Sequence, residues 1–147
     1  MKLSVWFSPF ILLLGGCGSG PDQTPPLWAG IVEREVDALG IQSWIIVAES
    51  SSPVVSRLGV RTLVLDGEIP QIVDCIVNHL EKSETVAPSF NTALELSFVS
   101  NDRGSGIDYL REQHNEALHE HQVRQMDNRS LTLLAHSDAS KYAIMVL

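Results

Sequence analysis

Three histidines, His114, His119 and His121, lie close together with Glu112, Glu116 and Glu120 interleaved among them. Imidazole and carboxylate are side chains that a divalent metal takes, so this run is the first candidate for a metal centre. Helical geometry argues against it. On a helix His114 and His121 share a face but stand about 10 Å apart, at about 1.5 Å of rise per residue. His119 and His121 could chelate together only from an extended backbone. The run therefore reads as a solvated polar helix face, and neither a metal nor a cofactor is expected. His79 and His136 sit singly beside apolar helix faces and read as structural. No glycine-rich phosphate loop and no Gly-x-Ser-x-Gly elbow is present, and Ser50–Ser52 have no nearby histidine to act as base. Cys75 reads as a small apolar residue on a helix face.

The more informative segment is Gly40-Ile41-Gln42-Ser43-Trp44-Ile45-Ile46-Val47-Ala48-Glu49, with Pro53 shortly after. A loop enters an apolar strand and a carboxylate leaves at the strand's carboxyl end, where α/β sheets place their ligand-binding groups. Glu49 at that position has two readings. It can take or give a proton at a bound ligand, or it can cap the turn formed by Ser50–Ser52.

The elements that must position these residues follow from periodicity. Trp28, Ile31, Val32, Val36 and Leu39 have helical spacing that stops at Gly40. Residues 43–48 form an unbroken β-rich run, which predicts a strand covered on both faces. Thr62–Leu65 predicts a short strand, and Pro70 opens a helix with Ile72, Val73, Ile76, Val77 and Leu80 on one face. Thr85–Phe90 and Ala93–Val99 read as strand-like, and Asn101–Gly106 as a turn-rich loop. A polar helix runs from Ile107 to about Glu120, with Leu110, Ala117 and Leu118 as its inward edge. Val123 suits a brief strand, and Asn128 or Ser130 can cap a short helix through Leu131, Leu133 and Leu134. Tyr142–Leu147 is an apolar strand that finishes in mid-pattern, as a strand at a sheet end would, or as one whose chain once continued. Alternating strands and helices predict a single α/β domain of three layers, with a mostly covered mixed or parallel sheet flanked by helices.

Composition narrows the partners. Of the 147 residues, 44% are apolar and 19% charged, and the net charge is −8, so clustered cations for phosphate contacts are lacking and no nucleic-acid partner is expected. Residues 1–16 carry Lys2 near their start, an apolar run to Leu14 and glycines at their end, the pattern of a signal peptide too short to span a bilayer as a mature helix. Leu14-Gly15-Gly16-Cys17 resembles the lipobox of bacterial lipoproteins, which implies a lipidated Cys17 and cleavage just before it. Gly18 follows without an Asp, which favours the outer membrane where a host has one. Residues 17–27, rich in Gly, Ser and Pro, read as a lipidated tether, and residues 28–147 as the folded domain.

Across most of residues 30–147 the order of segments resembles the ribose pyranase and fucose mutarotase family (RbsD/FucU). The matching features are Gly40 before the strand 43–48, the acid at its end, Pro53, Gly59-Val60-Arg61-Thr62, the helix from Pro70, Glu95-Leu96-Ser97-Phe98-Val99 and Leu110-Arg111. The resemblance implies an isomerase that opens and recloses an aldose such as ribose or fucose at its anomeric carbon, a monosaccharide ligand and a homo-oligomer. It also implies Glu49 as the catalytic carboxylate, with Gln42 and Tyr142 as sugar-contacting residues. Two departures weaken that chemistry: Ile41 stands where the family has a histidine, and Ile144 where it has an asparagine after the tyrosine. Tyr142 also reads as core packing among apolar neighbours. The sequence thus leaves open a lipid-anchored mutarotase with a degenerate site and a non-catalytic sugar-binding or assembly lipoprotein.

Overall fold

In a computed structural model of the chain, the described residues are 2–6, 25–39, 43–51, 60–84, 86–137 and 141–146. The chain is an α/β domain. In order it runs β1 (Lys2–Trp6), α1 (Ala29–Asp37), β2 (Trp44–Glu49), β3 (Val60–Leu65), α2 (Ile69–Glu81), β4 (Ser89–Ala93), α3 (Ile107–Ala117), β5 (Val123–Met126), α4 (Asn128–Ser137) and β6 (Lys141–Val146). The strands align as β3-β6-β2-β1-β4-β5, and every pairing is parallel. All carboxyl ends therefore lie along one edge of the sheet.

Helix α2 anchors the core. Ile69, Ile72, Val73, Ile76, Val77 and Leu80 recur at helical spacing and are all buried, while Pro70 occupies the first turn, where its missing N–H costs nothing. Removing such side chains from water is worth about 1.5–3 kcal/mol each. The α2 stripe joins Ile45 and Val47 of β2, Phe90 of β4 and Val32 and Val36 of α1 in one cluster. Helices α1 and α3 lie against α2, and α4 lies against β4 and β1. Outside the core, His79 of α2 meets Asp37 of α1 at 2.7 Å, and Arg61 of β3 pairs with Glu35. Strands β3 and β5 form the two sheet edges and carry Arg61 and Arg124, charges that discourage further pairing.

Several elements differ from the sequence reading. Residues Leu94–Ser97, read as strand, form a 3-10 turn after β4, and Phe98 is 77% exposed. The cause is Arg111 of α3, whose guanidinium donates to the carbonyls of Leu96 at 3.2 Å and Val99 at 2.5 Å. Those carbonyls are thereby withdrawn from any sheet ladder. Helix α3 stops at Ala117 and turns its one buried polar residue, His114, inward rather than to solvent. Helix α4 is capped by Asp127, not by Asn128 or Ser130: the Asp127 carboxylate accepts the Ser130 N–H at 2.9 Å and the Ser130 hydroxyl at 2.6 Å. Strand β6 is not at a sheet end but lies between β3 and β2.

The largest difference is β1. Lys2–Trp6, read from sequence as part of a leader peptide, pair with both β2 and β4 in the sheet interior. Among the described residues, β1 is what connects the β3-β6-β2 group to β4-β5. A chain cut before Cys17 would lack this strand, so the cleavage expected from sequence and the six-stranded sheet could not coexist in one molecule.

Candidate functional site

At the carboxyl edge of the sheet, β2 ends at Glu49, which is half-buried behind five fully buried residues. Its register neighbour on β6 is Val146, and on the other side Trp6 of β1 pairs with Ala48. Burial pushes the Glu49 carboxyl above its ordinary range, and the Ser51 hydroxyl, donating to Oε2 at 3.4 Å, offsets this in part. Glu49 has the position that both readings of it require. It sits where a ligand would meet the sheet, and it touches the turn that follows the strand. Chain order reverses between β1 and β4, so the crevice favoured in open parallel sheets lies one strand away from Glu49.

The β4 end of the same edge is tied together rather than open. Glu95 Oε1 accepts the N–H of Asn128 at 2.8 Å at the start of α4, and Gln125 donates to the Ser97 hydroxyl at 3.5 Å. The Asp127 carboxyl is held below its ordinary range by the hydrogen bonds from Ser130.

The remaining sequence candidates divide. Cys17, Gln42 and Ile41 lie outside the described residues. Tyr142 is on β6, in register with Ile45 of β2 and Arg61 of β3, near the amino end of the strand. It stands at the opposite end of the sheet from Glu49, so the structure does not bring these two together. Four residue steps along β2 separate Ile45 from Glu49, about 13 Å at about 3.3 Å per residue.

The histidines have separate fates. His114 Nε2 lies 3.1 Å from Thr92 Oγ1 of β4, at 2% exposure, and burial lowers its pKa to about 4. His119 is exposed beside Glu120. His121 pairs with Glu81 of α2 at 3.0 Å, and its ring centroid lies 4.5 Å from that of Phe90. No group of three or more histidine, cysteine or acidic residues suited to a metal occurs among the described residues. Cys75 is half-buried, and burial together with Glu33 and Asp74 pushes its thiol up, away from reactivity.

A cleft that sequence reasoning missed opens at the amino edge. It is a half-open depression of about 510 Å³, lined among others by Trp44, Phe90, Asn91, His121, Arg124 and Leu134. Trp44, Phe90 and Asn91 are themselves buried, so the groups it offers a ligand are those of Ser89, His121, Gln122 and Arg124, which suit a small polar molecule. Its residues come from the starts of β2, β4 and β5 and from α4, so no local spacing announces it. Comparison with protein-family models, with curated proteins and with solved structures finds no match for this chain.

Proposed function

We propose that the chain is a monosaccharide-binding protein of the mutarotase and pyranase kind, anchored at the bacterial envelope through a lipidated Cys17, with weak or vestigial anomer exchange. The observation that carries the reading is Glu49, a half-buried carboxyl of raised pKa at the carboxyl end of a central parallel strand. Such a group can accept the anomeric hydroxyl proton from an aldose and return it. Exchange needs a second group at the ring oxygen. Ile41 offers none, and Tyr142 begins its strand at the far edge of the sheet. Water is left as the partner, which makes the reaction slow.

A three-layer arrangement belongs to the same proposal. Alternate β2 residues Ile45 and Val47 belong to the α2 cluster, whereas Trp44, Ile46 and Ala48 are buried outside it. That alternation supports helices on both faces, with α4 as the second cover. A homo-oligomer is likewise part of the resemblance on which the proposal draws.

The test is saturation exchange between ribose or fucose anomers, followed by NMR. We expect a rate at or slightly above the uncatalysed one, loss of any excess in Glu49→Gln, and a gain of about 10²-fold or more in Ile41→His. An excess rate that survives Glu49→Gln would refute the role of this carboxyl. The amino-edge cleft favours a second, non-catalytic reading, in which sugar is held by His121, Gln122 and Arg124. Loss of sugar binding in Arg124→Ala with Glu49→Gln unaffected would select it.

A further inference from the structure

We propose that the position between β2 and β4 is a strand-acceptor slot, which the leader segment fills before processing and which an extended segment of another polypeptide chain fills afterwards. The inference rests on the lipoprotein reading for its timing and on the sheet for its chemistry. Lys2–Trp6 pair along their full length with Trp44–Ala48 of β2, and Lys2–Val5 pair with Ser89–Thr92 of β4. Both walls are interior strands: Trp44–Ala48 and Phe90–Ala93 are all buried. Neither wall bears the charged residues that blunt β3 and β5, so an emptied slot exposes two unprotected rows of backbone donors and acceptors.

The register states what the occupant must be. Leu3 aligns with Ile45 and Phe90, and Val5 with Val47 and Thr92. Ile45, Val47 and Phe90 belong to the main core cluster, so those two positions require apolar residues. Between them, Ser4 aligns with Ile46 and with the buried polar Asn91, a position that accepts a small polar residue. The slot therefore selects a parallel strand of pattern apolar–small polar–apolar. A basic residue beside that pattern, as Lys2 is beside Leu3, complements a chain of net charge −8. Recognition by strand addition draws its affinity from the main chain and its specificity from alternate side chains.

The experiment uses the full chain bearing Cys17→Ser, made without export, with a protease recognition sequence placed within residues 18–24. The purified protein is cut between β1 and α1 and the leader fragment removed by gel filtration. Amide exchange is then read in β2 and β4, with and without a synthetic peptide of residues 1–7. We expect protection in both strands to fall at least tenfold when the fragment is removed. The peptide should restore it, and a peptide carrying Ser4→Pro should not. Protection that is indifferent to removal of the fragment, or that the peptide fails to restore, would overturn the proposal. Lipid labelling at Cys17 in the host is read separately, so failure of the anchor reading is distinguishable from failure of the slot.

Discussion

Acidification offers the sharpest test of the tertiary structure, through His114. Its ring is buried between α3 and β4 with Thr92 Oγ1 at 3.1 Å, and its folded pKa is lowered from 6.5 to about 4. Because the folded value lies below the unfolded one, the unfolded chain takes up a proton first as pH falls. The native state is undisturbed by this group above 6.5, and it loses stability progressively down to about 4. The whole gap corresponds to about 3 kcal/mol, and by pH 5 about 2 kcal/mol of it is spent. Glu49 works in the opposite sense: its raised folded pKa contributes stability below the ordinary carboxyl value of 4.5 that is lost as pH rises through the folded value. A comparison within one background removes that contribution and those of the other histidines. The full chain bearing Cys17→Ser and its His114→Gln derivative would be unfolded with urea at pH 8 and pH 5. The stability advantage of His114 over Gln should shrink by about 2 kcal/mol between the two. An advantage constant to within about 0.5 kcal/mol, or an NMR titration placing His114 near its ordinary value, would refute the burial and its electrostatic consequence.

Three further outcomes follow from single contacts. Arg111→Ala should cost about 2–4 kcal/mol, because two carbonyls lose a charged donor, and amide exchange should rise across residues 94–100. Unchanged stability in urea would remove Arg111 as the organiser of that turn. Gly67→Ala should cost about 1–3 kcal/mol, since the added Cβ would stand 2.9 Å from the Trp28 indole nitrogen, and Trp fluorescence should shift as the ring is displaced. A spectrum identical to that of the parent would contradict the packing of Trp28 on the β3–α2 turn. Cys17→Ser in a bacterial host should abolish lipid labelling and release the chain from membranes, and continued membrane attachment would count against the lipobox.

Much of the secondary structure was legible because it rests on local chemistry. The apolar stripe of α2, the β-rich run 44–49 and the turn around Gly106 need only neighbours along the chain. Gly106 is required there by its φ of 86°, which a side chain would strain. The strand-end position of Glu49 was legible for the same reason, since a carboxylate ending an apolar run is visible in the sequence itself. Tertiary structure decided the rest. Leu94–Ser97 follows a strand pattern, but Arg111, from a helix more than ten residues later, captures its carbonyls. His114 looks like its exposed neighbours His119 and Glu120, and only the approach of Thr92 from β4 makes it a core residue. The amino-edge cleft exists because parallel pairing brings the starts of three distant strands together. Strand neighbours carry no local signature, because a ladder bonds backbone to backbone. The same apolar stretch, Lys2–Trp6, therefore reads as leader in sequence and as the middle of a sheet in space, and both readings follow from one property: a short apolar segment satisfies a translocation channel and a strand slot alike.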